Sequence, residues 1–263
     1  AEIAFYGMVK GIEDYLTSVK QRKIMESAAT LDEAKLSKIL SIHPRIEKLA
    51  IKDAKLRTFI TDDMHRDEMV AHVYDVTYGV IKPTDNLVII DDSIVRGTTL
   101  KQSILKMLDR LKPKKILIVS SAPQIRYPDC YGIDMSTLEG FVAFRAAIAL
   151  LQEQNKQSII ESVYLKCKKQ ETLPDTEIKN HVKDIYASFS DEEIAHKIAE
   201  MLVTNDIQAE VKIVYQSVEN LHKACPKNLG DWYFTGNYPT PGGNRVCNKA
   251  FMNYMEGKNV RGY

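Results

Sequence analysis

Apolar and polar residues alternate along this chain with two periods. From Ala1 to about Lys23 apolar side chains recur at helical spacing, with Ile3, Tyr6, Met8, Ile12 and Leu16 as inward positions, so the chain is predicted to open on a helix. Gly7 and Gly11 weaken that helix in isolation and leave room for close approach of a backbone or ligand. Glu26 to Lys48 is charged, has mostly helical propensity and reads as a surface excursion or linker. Lys55 to Ile60 is short and strand-like, followed by the polar, acid-containing Thr61 to Asp67. Pro83-Thr84-Asp85 predicts a turn into Leu87-Val88-Ile89-Ile90, an unbroken apolar run of the kind expected in a central parallel strand covered on both faces. A helix carrying Leu100, Ile104, Leu108 and Leu111 follows, Pro113 ends it, and Lys115 to Val119 forms the next strand.

Downstream, Ser136 reads as the cap of a long amphipathic helix running through Leu151, with Leu138, Phe141, Val142, Phe144, Ala147 and Ile148 apolar. Glu153 to Ser190 turns polar, with Lys166, Lys168 and Lys169 around Cys167, and reads as an insertion or surface region. A helix from Asp191 to Val203 packs Ile194, Ile198, Met201 and Leu202, and leads to a strand from Glu210 to Tyr215. Strand–helix–strand order with short connections is the pattern of a parallel sheet with right-handed crossovers. The predicted fold is therefore α/β, a parallel sheet flanked by helices within residues 1–155, followed by a mainly helical region over 156–263.

The chemistry concentrates where the first strong strand ends. Asp91 and Asp92 sit at its carboxyl end, the edge at which open α/β sheets bind ligands. Two adjacent carboxylates suit neighbouring ribose hydroxyls or Mg²⁺, bound directly or through water. Ser93 to Thr99 then adds three hydroxyls, a glycine and an arginine at a helix start, where backbone amides are free to hold a phosphate. The plain alternative is an ordinary strand–helix junction with a capped helix and solvated acids. Ser120 to Arg126, at the end of the next strand, is expected on the same edge, with Arg126, Tyr131 and Asp134 as further polar candidates. Cys130 has no apparent base in the sequence around it and reads as a plain thiol.

Composition narrows the classes. Among 263 residues, 36 Lys+Arg balance 35 Asp+Glu, so no basic field points to nucleic acid, and the lysine cluster around Cys167 lacks the aromatic interleaving of an RNA surface. The four cysteines are widely spaced, with no C-x-x-C, which signals neither a zinc site nor a disulfide framework and fits reduced thiols in a cytoplasmic protein. No apolar run approaches the roughly 18–20 residues that span a membrane, and no signal peptide is visible. The chain opens on Ala1 directly into a helical pattern, which is read as a piece of a longer protein.

The string IIDDSIVRGTT, Ile89 to Thr99, closely resembles the phosphoribosyl pyrophosphate (PRPP) motif of type I phosphoribosyltransferases, in the wording found in amidophosphoribosyltransferases. Three further segments resemble the same family: RTFI at Arg57–Ile60, YPDCYGIDM at Tyr127–Met135, and a YxSVExL stretch (Tyr215–Leu221) followed by FTGxYPT (Phe234–Thr240). The tail separates this family from salvage phosphoribosyltransferases acting on purine bases. The weak parts of the resemblance are Glu26–Lys48 and Glu153–Ser190.

The resemblance implies a type I phosphoribosyltransferase-like sheet, partial here, that displaces pyrophosphate from PRPP with ammonia to give 5-phosphoribosylamine. By the same match Asp91 and Asp92 hold the ribose hydroxyls and Mg²⁺, while Ser93, Ile94, Val95, Arg96, Gly97, Thr98 and Thr99 bind the 5′-phosphate. That loop also accepts inhibitory purine nucleotides such as AMP or GMP in the family. Arg57 is implied to couple two active sites, and Ile60 to line an ammonia channel, with RTFI opening a lid over the reactive sugar. For RTFI an ordinary edge strand is the plain alternative. The family's loop lysine is missing from Val70–Tyr74; Arg66 and His72 are the nearby cations, and His72 reads equally well as packed or catalytic. Some relatives hold an iron–sulfur cluster through a C-x-x-C before FTG; the equivalent positions are Gly230 and Tyr233, so no cluster is expected.

Whole enzymes of the family carry an N-terminal glutaminase domain whose first residue is a cysteine, and this chain is expected to act as a homo-oligomer. Ala1 is not that residue, so the chain alone is expected to have little or no glutamine-dependent activity. A non-catalytic PRPP or nucleotide sensor of the same fold is the alternative, favoured by the missing lysine and disfavoured by the RTFI and FTGxYPT matches.

Overall fold

The computed structural model describes residues 2–47, 50–52, 74–77, 79–130, 135–228 and 230–262. Helix α1, Glu2–Glu26, leads through a 3₁₀ turn to α2, Glu33–Leu40, which Asp32 caps by accepting from the Lys35 amide at 2.7 Å. Two short antiparallel strands follow, β1 (Ala50–Lys52) and β2 (Tyr74–Val76).

The sheet that organises the molecule is made of β3 (Asn86–Asp91), β4 (Lys115–Ser120) and β5 (Glu210–Tyr215), parallel and in that order. Between β3 and β4 the chain makes a π-helical turn, Leu100–Ile104, running into α3, Leu105–Asp109. After β4 come a 3₁₀ turn (Leu138–Gly140), α4 (Val142–Glu153), α5 (Gln157–Lys169), α6 (Lys183–Tyr186) and α7 (Asp191–Leu202). Beyond β5 lie α8 (Val218–Ala224), α9 (Trp232–Thr235) and α10 (Pro241–Met255).

Pleating sends alternate side chains to opposite faces. Leu87, Ile116, Ile118 and Ile213 point to the face covered by helices, where α4 and α7 pack together and α7 lies on β5. The core continues through Phe144, which meets Phe251 and Tyr254 of α10 edge-on at 6.1 and 4.9 Å between ring centres. Fully burying a side chain of this size is worth about 1.5–3 kcal/mol, so this aromatic group alone ties α10 to α4.

Several expectations are corrected. β3 is an edge strand of the described sheet, with β4 in the middle, and its second face is only partly covered: α1 approaches it, but Val88 keeps 50% of its surface exposed, as Val214 of β5 keeps 49%. An unbroken apolar run does not distinguish a strand covered on both faces from one covered on a single face. In α1, Ile3 (89%) and Tyr6 (63%) are exposed, whereas Met8, Ile12 and Leu16 are half-buried. Among the described residues one stripe of the helix meets the rest of the chain, and a Cβ at Gly7 or Gly11 would touch none of them, so no described backbone approaches either glycine closely. Ser136 does not cap α4: the 3₁₀ turn intervenes and Phe141 occupies the cap position in extended conformation.

Residues 153–190 are not a surface insertion. Ile160, Val163 and Cys167 of α5, with Val182, Ile185, Tyr186 and Phe189, are buried in the same core as β3 and β4. Burial pushes the Cys167 thiol up to about 12, which leaves it unreactive. Helix α10 lies past the last motif in a stretch the sequence reading left without an element. Pro241 sits in its first turn, and Cys247, Ala250, Phe251 and Met252 fill its inner stripe.

Candidate functional site

β3 delivers Asp91 to the helix-covered side of the sheet at its carboxyl end, and Asp92 just past the strand into solvent. The two side chains hydrogen-bond to each other, and the amides of Asp92 and Ser93 also turn toward them. Burial first, then the hydrogen bond and the charge of Asp92, push the Asp91 carboxyl up to about 6. Its partner moves the other way: the bond from Asp91 holds Asp92 below the usual carboxylate range. The pair therefore holds its one proton on Asp91 in mildly acid solution.

The loop that follows is held by its carbonyl groups. Ser121 and Ala122, just past β4, donate their amides to the carbonyls of Asp91 and Asp92 at 2.9 and 3.1 Å, and the Ser121 hydroxyl reaches the Asp92 carbonyl at 3.1 Å. The Val142 amide, first in α4, donates to the Val95 carbonyl at 2.8 Å, and Arg145 Nη2 donates to the Arg96 carbonyl at 2.7 Å. The Gly97 carbonyl accepts from Lys101 at 3.0 Å. By contrast, no acceptor among the described residues takes the amides of Ile94, Val95, Arg96 or Gly97. A loop with its carbonyls tied inward and its amides left over is suited to an anion, and the helix beginning at Thr98 adds its positive end.

Packing sets the shape of this loop. Ile94 and Leu100 are buried at its two ends, while Thr98, Thr99 and Arg96 are exposed. Gly97 has φ +73°, and a Cβ there would lie 2.7 Å from Leu202 Cδ2 of α7. Both the backbone sign and the close approach demand glycine.

The neighbouring edge residues have structural partners. Arg126 is largely buried; its guanidinium binds Gln124 Oε1 and Asp191 and lies over the Tyr186 ring at 5.2 Å, so it is committed to the fold and not free for a ligand. The FTGxYPT motif closes on the same corner. The Tyr233 carbonyl accepts from the amides of Arg126 and Tyr127 at 2.8 and 3.1 Å, and the Tyr238 hydroxyl donates to the Pro128 carbonyl at 2.6 Å. Gly236, at φ +70°, packs where any Cβ would strike the Tyr127 ring at 2.9 Å. Tail and sheet edge thus form one unit despite their separation in sequence.

Arg57, Ile60, Arg66 and His72, and with them Tyr131 and Asp134, lie outside the described residues. The sequence places Ser121 at this edge without showing that it anchors the loop, and it gives no sign of Arg145, the other anchor, or of Tyr215, whose register places it on the same row as Asp91; strand-end position was the available signal for the last.

A carboxylate pair and an amide-lined loop at the carboxyl end of a parallel strand stand at the edge where α/β proteins with open sheets bind their ligands. Comparison with known proteins is more specific. Over 59 residues, 22% of this chain and 12% of the relative, it is 51% identical to amidophosphoribosyltransferase of Pasteurella multocida. It is 37% identical over 81 residues, 31% of this chain and 16% of the relative, to amidophosphoribosyltransferase of Staphylococcus aureus. The matched stretches are thus a small part of each relative's length. Among solved structures, the glutamine PRPP amidotransferase from B. subtilis complexed with ADP and GMP is similar with 27% identity, TM-score 0.42, over 74% of this chain and 32% of that one. No family model matches the chain. The resemblance to amidophosphoribosyltransferases read from the motif is borne out by these relatives.

Proposed function

We propose that this chain is the phosphoribosyl-transferring portion of an amidophosphoribosyltransferase, replacing the pyrophosphate of PRPP by ammonia to give 5-phosphoribosylamine, the first step of de novo purine synthesis. The observation that carries this is the Asp91–Asp92 carboxylate pair at the end of β3 beside four amides, Ile94 to Gly97, that find no acceptor among the described residues. The relatives' names support it.

In this reading Asp91 and Asp92 grip the two ribose hydroxyls, the amides of Ile94 to Gly97 with the hydroxyls of Ser93, Thr98 and Thr99 hold the 5′-phosphate, and C1 projects from the sheet edge. Ammonia attacks C1 with its lone pair, the C1–O bond to pyrophosphate breaks with its electrons going to the leaving group, and the new amine sheds a proton to solvent. The protein does little covalent chemistry here; it holds the reactants in line. Two hard carboxylate oxygen donors fit Mg²⁺, which commonly takes one or two protein carboxylates and completes its shell with substrate oxygens and water. Bound there, the ion supplies positive charge to the ribose hydroxyls and the departing pyrophosphate. Gly230 and Tyr233 offer no thiolate, so the reading includes no iron–sulfur cluster.

Glutamine as ammonia source through a glutaminase domain, inhibition by AMP or GMP at the same loop, a homo-oligomeric state and a cytoplasmic location belong to the same proposal. So does the inability of this chain alone to use glutamine. The test is pyrophosphate release from PRPP with ammonium as nucleophile. Mg²⁺-dependent release that disappears in Asp91→Ala/Asp92→Ala supports the reading, and release unaffected by the double substitution overturns it. Product formation from glutamine by the purified 263-residue chain contradicts the proposed dependence on a separate glutaminase.

A further inference from the structure

Among the described residues the hydroxyl of Tyr215 is buried and has no hydrogen-bond partner. Tyr215 is the last residue of β5, and the parallel register aligns Asp91, Ser120 and Tyr215 in one row across the carboxyl end of the sheet, all on the helix-covered face. Neighbouring strands lie about 4.8 Å apart, so β3 and β5 are separated by about 10 Å, and the Asp91 charge is close enough to act on the Tyr215 phenol. Ser120, between them, already donates its hydroxyl to the Ala122 carbonyl at 2.8 Å. The row therefore holds one committed donor, one carboxyl that grips its neighbour, and one spare donor. Tyr215 also lines a cleft of about 420 Å³ between α7 and β5, together with Gln124, Gln216 and Ser217 at the same sheet edge.

A buried hydroxyl left unpaired costs about 1–3 kcal/mol, and such a group points to a water, ion or ligand that completes it. Burial first, then the nearby Asp91 charge, keep the phenol protonated, so it acts as a donor. We propose that Tyr215 is a substrate-binding residue of this site, its hydroxyl donating a hydrogen bond to an oxygen of the phosphorylated sugar gripped by Asp91 and Asp92. The inference rests on the reading of the carboxylate pair given above and extends the site from β3 across to β5.

The experiment is calorimetric titration of PRPP with Mg²⁺ into the 263-residue chain and into its Tyr215→Phe and Asp91→Ala/Asp92→Ala variants, with ligand-free melting curves of each. Tyr215→Phe keeps the ring and removes only the unpaired oxygen. It should weaken PRPP about tenfold, equivalent to about 1.4 kcal/mol, while melting without ligand at the same or a higher temperature. Equal affinity in Tyr215→Phe, with binding lost in the aspartate double variant, overturns the role of Tyr215 and leaves the carboxylate site standing. A lowered ligand-free melting temperature in Tyr215→Phe also overturns it, because the hydroxyl then serves the fold. Failure of the unaltered chain to bind PRPP, or equal binding by the aspartate variant, overturns the site reading and this inference with it.

Discussion

Asp91 and Asp92 sit side chain to side chain at the end of β3, and their acidities move in opposite directions, Asp91 upward through burial first and Asp92 downward through its bond to Asp91. Asp91, raised to about 6 chiefly by burial, binds its proton more tightly folded than unfolded. The sign follows: its contribution to stability is full below the ordinary aspartate range and is lost as pH rises through about 6. Asp91→Asn keeps the shape and cannot ionise. With chelator present and no ligand, the variant should gain stability over the unaltered protein as pH climbs from about 4 to 7.5. Partial solvation limits the gain to about 1 kcal/mol, or a melting shift of about 2–4 °C. Parallel melting curves of the two proteins across that range contradict the placing of the proton on Asp91.

Gly97→Ala should cost about 2 kcal/mol, the sum of a left-handed backbone at a residue with a Cβ and a collision with Leu202. Denaturant midpoints measure it. Pairing it with Leu202→Ala should recover part of the loss by opening the space, whereas a purely backbone origin gives no recovery.

Helix α7 carries both Leu202 and Asp191, so its start matters to the site. The Ser190 hydroxyl accepts from the Glu193 amide at 3.1 Å, and the Glu193 carboxylate accepts from the Ser190 amide at 2.7 Å. Ser190→Ala should cost about 1 kcal/mol in chemical denaturation. The double variant with Glu193→Ala should lose less than the sum of the two single changes, and strict additivity would show that the two halves of the box act independently.

Arg126→Ala should destabilise the chain by about 1–2 kcal/mol, because it strips Asp191 and Gln124 of a partly buried charged partner. Its affinity for PRPP should stay within about threefold, as expected for a group occupied by the fold. A hundredfold loss of affinity with unchanged stability would restore Arg126 as a ligand-binding residue.

How much of this was legible beforehand depends on how local each signal is. The ends of β3, β4 and β5, the turn at Pro83–Asp85 and the carboxylate pair follow from short-range rules: an apolar run, a breaker, an acid at a strand terminus. The phosphate-suited loop was legible as composition, but the observation that gives it force, carbonyls engaged by Ser121, Val142 and Arg145, depends on partners from distant segments. Val88 and Val214 show why sheet coverage was misjudged, since β-branched residues look alike on an open and a covered face. The region around Ile160, Val163 and Cys167 was misread because a narrow buried stripe is diluted by the charged face of the same helix. Gly242 and Gly243 in the first turn of α10 masked its helical pattern in the same way, although Gly243 is held against the Tyr238 ring.

The central claim is that Asp91 and Asp92 hold a phosphorylated sugar together with a divalent cation. Titration of PRPP in the presence and absence of Mg²⁺, followed by calorimetry on the unaltered chain and on Asp91→Ala/Asp92→Ala, tests it most directly. The account predicts Mg²⁺-dependent binding that falls at least a hundredfold, about 2.7 kcal/mol, in the double variant. Binding of the same strength in both proteins, or binding indifferent to Mg²⁺, would contradict it.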